Sequence, residues 1–380
     1  DQPQRDRAVD PFWVSRQSLD AASGALKPGC GWLPADWMPT EALRRAFRGL
    51  ARAEDAVLAD YGATRGSLAL RRTLMARFAD EGLDASPDQV LLTMSGTQAI
   101  DLICRFLLRP GDTVLVDDPC YFNFRALLRA HQVKLVSVPY TPSGPDVASF
   151  EAVLEAERPR LYITVSGLHN PTGATMSPQT AHRVLNAATA CDLTIVEDDI
   201  FADFEPEPSA RLAALDGLNR VIRIGSFSKT LSASLRCGFI AARADWIEQL
   251  VDLQVATGFG GPCAVATEII ASVLATGFYR KHVEELRRRL ARARRDVGEK
   301  LQRIGIEPWL MPRGGFQLWC RLPDGCDSAD VARAALADNI VLAPGNVFST
   351  TQSASGFMRF NVAQCRDPKL MPALQRALGR

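Results

Sequence analysis

Seven short apolar runs, separated by stretches with helical spacing, constrain the fold of this chain more than any other feature. They are "QVLLTMSG" (89–96), "TVLVDDP" (113–119), "VKLVSVP" (133–139), "RLYITVS" (160–166), "LTIVEDD" (193–199), "VIRIGSFS" (221–228) and "CGFIAAR" (237–243). Most are apolar on both faces, which favours a mostly parallel sheet covered on either side by helices. Helical patterns at 97–109, 120–131 and 178–191 supply those covers. The expected class is therefore α/β, a mostly parallel seven-stranded sheet between helical layers, with ligands at the carboxyl ends of the strands. Residues 279–304 predict a long helix, because Val283, Leu286, Leu290, Val297, Leu301 and Ile304 form one apolar stripe. "GGFQLWCRL", a helix over 328–338, "IVLAPG", "GFMRFNVA" and a last helix then suit a small α+β domain. The expected division is a linker or arm over 1–30, a large domain over 31–280, and the long helix with the small domain over 281–380.

Composition removes several functions. With 47% hydrophobic residues and a formal net charge of +1, a chain of 380 residues can bury a large core but offers no electrostatic footprint for nucleic acid. No apolar run has the length of a membrane span, and "DQPQRDRAVDPFW" lacks a signal peptide's apolar centre. A soluble, cytoplasmic protein is expected. Nine scattered cysteines and four histidines argue for reduced thiols rather than a zinc site. The run "RRRLARARR" reads as a solvated helix face. The start at Asp1, without a methionine, reads as a piece of a longer protein, although tag cleavage or processing explains it as well.

The chemistry lies at the strand ends. "SGTQ" (95–98) opens a helix, and its N–H groups suit either a phosphate or an ordinary N-cap. "HNPTG" (169–173) fixes a carboxamide in a turn, and the three acids of "VEDD" (196–199) could bind magnesium but have no nucleotide-phosphate loop beside them. "GSFSKT" (225–230) contains one of only six lysines but lacks the glycine of a nucleotide-phosphate loop. Taken together, Lys229, Asp198, Asn170, a phosphate seat and Arg236 meet the needs of pyridoxal phosphate. A lysine amine makes the imine, a carboxylate keeps the pyridine nitrogen protonated, and donors hold the ring oxygen and phosphate. Ser226, Ser228 and Arg236 stand around that phosphate position, where a guanidinium forks onto oxygen better than a second lysine.

The chain resembles a class I aminotransferase of pyridoxal-phosphate fold type I from about Gly31 to its end. The resemblance rests on "YGATRGSLALR" (61–71), "SGTQ", "DDPCY" (117–121), "HNPTG", "EDDIFADF" (197–204), "SFSKTLSASLRCGF" (226–239), "PRGGFQLW" (312–319), "APGNVF" (343–348) and "MRFNVA" (358–363). It implies that Thr97 and Gln98 bind phosphate, Tyr121 stacks on the pyridine ring, and Asn170 donates to the ring oxygen. It also implies that Asp198 pairs with the ring nitrogen, Arg359 grips the substrate carboxylate with Asn170, and Tyr61 reaches a neighbouring subunit's phosphate. A homodimer with shared sites follows from that last role. Phe201 departs from the family, which has a tyrosine hydroxyl there. "GWLP" (31–34) resembles a segment over the site, and Trp32 and Phe259 are candidates for its walls.

In motif detail the resemblance is nearest to the aminotransferase-like effector domain of MocR-type regulators in the GntR superfamily. Two functions follow: an enzyme exchanging an amino group between an amino acid and a 2-oxo acid, or a sensor binding pyridoxal phosphate and an amine effector. In the second, DNA is bound by a winged helix outside this chain. A lyase or decarboxylase on the same scaffold is a third, weaker reading.

Overall fold

The computed structural model describes residues 10–21 and 24–379. Residues 1–9, part of the expected linker, lie outside the described residues.

The larger sheet contains Val90–Thr93 (β1), Thr113–Asp118 (β2), Lys134–Thr141 (β3), Gly144–Pro145 (β4), Leu161–Thr164 (β5), Thr194–Asp198 (β6), Val221–Ser226 (β7) and Gly238–Ala241 (β8). Its order is β1-β8-β7-β6-β5-β2-β3-β4. All seven expected strands are present, and the eighth is the two-residue β4, too short to leave a hydrophobic signature. The links β7-β6-β5-β2-β3 are parallel, whereas β8 runs antiparallel to both β1 and β7. Alternate residues of each strand enter two separate cores. Leu91, Val114, Val116, Ile163, Val196 and Ile224 pack on one face, while Val90, Leu92, Leu115, Tyr162, Ile195 and Val221 pack on the other. This double burial explains why the strands read as unbroken apolar runs.

The helices Gly96–Leu107, Phe122–Ala130 and Pro178–Ala190 fall where helical spacing placed them. The long helix is Gly277–Arg303. Beyond it, Glu307–Pro308 (β9), Gln317–Arg321 (β10), Ala343–Pro344 (β11) and Phe357–Asn361 (β12) form an antiparallel sheet of order β11-β12-β10-β9. The "RRRLARARR" stretch is mostly a solvated face, with three exceptions, of which Arg289 lies 4.0 Å over the Trp37 ring. Arg287 donates to the Asp203 carbonyl at 2.7 Å, and buried Arg294 donates to the Gly315 carbonyl at 2.6 Å. Within the stretch read as a linker, Pro11–Asp20 is helical, with the Asp10 carboxylate accepting from the N–H groups of Phe12 and Trp13. No helix among the described residues is long and apolar enough to cross a membrane.

Close backbone approach at one glycine aligns the start of the Gly96–Leu107 helix with the end of β7. A Cβ on Gly238 would lie 2.7 Å from Ser95 C and 2.8 Å from both Gly96 N and Gly225 O. These are backbone atoms, so no side-chain rotation relieves the contact. Gly238→Ala is expected to destabilise the protein by about 1–3 kcal/mol, whereas Gly356→Ala, whose Cβ meets nothing within 4 Å, should change stability by less than about 0.5 kcal/mol. Thermal melting of the two variants side by side checks this.

Candidate active site

The carboxyl ends of the central strands open into a cavity of about 250 Å³. Strand alternation sorts the three acids at the end of β6. Glu197 accepts from Ser166 Oγ at 2.5 Å and from the N–H groups of Leu212 and Ala213 at 2.8 Å each. Asp199 pairs with Arg211 at 2.9 Å and Arg223 at 2.5 Å. Asp198, between them, lines the cavity. With Glu197 and Asp199 so engaged, Asp198 alone of these three acids faces the cavity. Burial pushes the Asp198 carboxyl up to about 7, against the Ile200 N–H that donates to it at 3.1 Å and the nearby Lys229.

The phosphate-type donors converge beside this acid. Ser95 caps the Gly96–Leu107 helix by accepting from Gln98 N–H at 3.0 Å, and Thr97 lines the cavity. Ser226 Oγ lies 3.0 Å from Ser228 Oγ and accepts from Ser228 N–H at 3.1 Å. Arg236 lines the same wall, with a left-handed backbone at φ 47°. Gln98 behaves differently from expectation. Its side-chain oxygen turns back to accept from Met94 N–H at 2.6 Å, its own N–H is held by Ser95, and it does not line the cavity.

Across the cavity, Lys229 Nζ donates to the Gly31 carbonyl at 2.6 Å. Burial lowers its pKa to about 8, and the Arg359 and Arg236 charges act in the same direction. Arg359, on β12, sends Nη1 to Asn170 Oδ1 at 2.9 Å and Nη2 to the Gly29 carbonyl at 2.8 Å. Its guanidinium stands 4.7 Å over the Phe348 ring, its Nε is buried without a partner, and burial lowers its pKa to about 10. Because Asn170 Oδ1 faces Arg359, its amide N–H donors remain for another partner. The loop carrying Asn170 is anchored by its neighbour: His169 bonds to Asp117 at 3.1 Å and Thr172 at 2.8 Å and stacks on Tyr140 at 3.6 Å. Asp117 also accepts from Tyr162 at 2.6 Å and Thr164 at 2.8 Å. Tyr121 lines the cavity, its ring braced by Phe122 and Phe124.

Besides Gln98, two expected residues stand apart from this cavity. Tyr61 is 81% exposed and packs edge-on against Phe259, itself 67% exposed, with ring centroids 4.9 Å apart. Phe259 is therefore a surface residue, not a cavity wall in this chain, while Trp32 does line the cavity. Phe201 lines it too, with its ring against Phe204 and Phe316. Sequence reasoning missed two elements. The backbone of Gly29–Gly31 supplies the carbonyls that hold Arg359 and Lys229, and a Cβ on Gly29 would lie 2.4 Å from Ala343 N. The Pro11–Asp20 helix brings Val14, Ser18 and Leu19 to the cavity, and its one sequence signal was the Asp10-Pro11 start.

The class of protein is now defined. A class I and II aminotransferase family model matches residues 33–376, and the chain belongs to that family. Among curated relatives, it is 29% identical over 368 residues to the Escherichia coli K12 HTH-type transcriptional regulator YdcR, covering 94% of this chain and 78% of that protein. It is also 29% identical to aromatic-amino-acid aminotransferase 1 of Thermococcus litoralis, covering 91% and 85% of the two chains. Among solved structures, it is similar to LysN, the α-aminoadipate aminotransferase of Thermus thermophilus complexed with N-(5′-phosphopyridoxyl)-L-leucine. That match has a TM-score of 0.87 and 27% identity, and covers 96% of this chain and 94% of that one.

The raised pKa of Asp198 carries a pH signature. In the unfolded chain this carboxyl ionises near its ordinary value of 3.8, but folded it holds its proton to about 7. Between these values the folded state binds more protons, so this group makes the ligand-free protein less stable as pH rises. Asp198→Asn removes the effect. The variant's stability relative to the parent should therefore rise from pH 4 to pH 8, by up to about 4 kcal/mol at about 1.4 per unit, as read from paired melting curves across that range.

Proposed function

We infer that this chain is a pyridoxal 5′-phosphate-dependent aminotransferase, exchanging an amino group between an amino acid and a 2-oxo acid by a ping-pong mechanism. The observation that carries this is the joint placement of a depressed lysine amine and a buried acid in one cavity with phosphate-type donors. The donor set fits the cofactor. Arg236, Ser226, Ser228, Thr97 and the start of the Gly96–Leu107 helix suit a phosphate dianion, and Tyr121 offers an aromatic face for a ring.

When bound, the cofactor supplies an aldehyde carbon and a ring that accepts the electron pair of a substrate Cα–H bond. Lys229, at about 8, has a neutral amine within reach near physiological pH, so its Nζ would hold the cofactor and, once free of it, would carry the proton to and from the substrate Cα. Asp198 would keep the cofactor's ring nitrogen protonated, and that cation would in turn favour the ionised form of Asp198. Asn170 donates to the ring oxygen, and with Arg359 it grips the substrate carboxylate. Phe201 provides no hydroxyl, so the ring oxygen depends on Asn170. The exposed pair Tyr61 and Phe259 supports a homodimer in which Tyr61 completes the partner's phosphate site.

A second reading is favoured by the regulator YdcR among the relatives. In it the same site binds the cofactor and an amine effector without turnover. Sustained conversion of a 2-oxo acid in the presence of an amino donor separates the two. Lys229→Ala should lower that amino transfer by about 10²–10⁴-fold, the usual range for a lost proton-transfer group, while non-covalent retention of pyridoxal phosphate persists in equilibrium dialysis. Undiminished turnover in the variant would remove Lys229 from the mechanism.

A further inference from the structure

We propose that Asp118, at the end of β2, is a positioning residue for the substrate carboxylate. With Thr350 and Thr351 it pegs the loop that carries Phe348, and through Phe348 it sets where Arg359 stands. The inference rests on the aminotransferase reading above, in which Arg359 grips that carboxylate. Asp118 does not line the cavity itself; its bonds run to the loop between β11 and β12. Its Oδ2 accepts from Thr350 Oγ1 at 2.8 Å, from Thr351 N–H at 3.0 Å and from Thr351 Oγ1 at 2.8 Å. A carboxylate oxygen only accepts, so both hydroxyls donate to it. Their oxygens are then free to accept from Ser137 Oγ on β3 at 2.8 Å and from Ser353 Oγ at 2.9 Å. One charged oxygen thus gathers three donors from a single loop, the strong form of such a contact.

The same loop is held at two further points. Cys120 N–H donates to the Phe348 carbonyl at 2.9 Å, and Arg125 Nη1 donates to the Ser349 carbonyl at 2.8 Å and to the Val347 carbonyl at 3.2 Å. Asp118 and Cys120 flank Pro119 and lead directly into Tyr121, which lines the cavity. The segment that places Tyr121 therefore also holds the loop of Phe348. Phe348 is fully buried, packed against Phe122 at 5.4 Å and Trp319 at 5.6 Å, and the Arg359 guanidinium stands 4.7 Å over its ring. Bonds to Asn170 and to the Gly29 carbonyl fix the two ends of that guanidinium, while the ring beneath it fixes its plane. When the Asp118 contacts are lost, the ring is released and the guanidinium loses its backing.

Two ligands that differ only in that carboxylate test this without turnover: N-(5′-phosphopyridoxyl)-L-alanine and N-(5′-phosphopyridoxyl)ethylamine, titrated calorimetrically into the ligand-free protein. A methyl side chain keeps the choice of amino acid out of the comparison. The parent should bind the alanine adduct at least about tenfold tighter. In Asp118→Ala this ratio should fall about tenfold, while affinity for the ethylamine adduct stays within about twofold of the parent. Asp118→Asn, which keeps an acceptor oxygen for the two hydroxyls, should restore the ratio to within about threefold. Paired Thr350→Val and Thr351→Val should reproduce the Asp118→Ala loss from the other side of the contact, even where Asp118→Ala itself folds poorly, and adding Asp118→Ala to them should change the ratio little further. A ratio unchanged in these variants, a loss that falls equally on both adducts, or a loss that Asp118→Asn does not restore overturns the inference while leaving the cofactor site standing. A parent protein that binds both adducts alike removes Arg359 from the carboxylate and overturns the inference through that role. Failure of both adducts and of pyridoxal phosphate itself to bind would remove the reading of the site and this inference with it.

Discussion

Confinement of three cations, Lys229, Arg236 and Arg359, in one cavity with Asp198 as the only acid among its described lining residues is the constraint on which this site depends. Burial is the larger cause of the strain on Lys229 and Arg359, and for Lys229 the Arg359 and Arg236 charges add to it. The Lys229 amine falls to about 8, and Arg359 falls to about 10 mainly through burial. The arrangement is costly in the absence of ligand. Anions are the natural relief for such a set of charges.

Such a site persists only on a scaffold rigid enough to hold it. The parallel strands bury both faces, which fixes where their carboxyl ends lie, and the acids not needed at the cavity are tied off elsewhere. Glu197 is tied to Ser166 and the Leu212–Asp216 helix, and Asp199 to Arg211 and Arg223. The Asp117–His169–Thr172 chain fixes the loop of Asn170. Arg359, borne by the small sheet, reaches Asn170 and the Gly29 carbonyl, so this corner of the cavity is built from distant parts of the chain. Polar groups satisfied in this way resist rearrangement, because breaking any one bond leaves a buried partner unpaired.

Much of this was legible in the sequence. The seven sheet strands could be read because burial on both faces makes each a continuous apolar run, and the residues at their ends then converge by topology. Lys229, Asp198, Asn170, Thr97, Ser226, Ser228, Arg236, Tyr121 and Arg359 all reach one cavity. The antiparallel direction of β8 was not legible, since local composition does not encode which way a buried strand runs. The Pro11–Asp20 helix was not legible because, of its described side chains, only Val14 and Ser18 are buried, leaving no apolar stripe to read. Gln98 lies off the cavity through a local bond, its side chain returning to Met94 N–H. The buried Arg294 inside an arginine run shows the converse, a charge drawn inward by a carbonyl that pattern alone does not reveal.

The cationic cavity is tested most directly by the ionisation of Lys229 itself. Reductive methylation of the ligand-free protein with ¹³C-formaldehyde, followed by peptide mapping and NMR titration of the labelled amines, reports each of the six lysines separately. The account predicts that Lys229 titrates at about 8 and reacts ahead of the other lysines near neutral pH. A Lys229 midpoint at the ordinary value of 10.5 would contradict it, because an amine so placed would feel neither the arginines nor the loss of water on which the proposed chemistry rests.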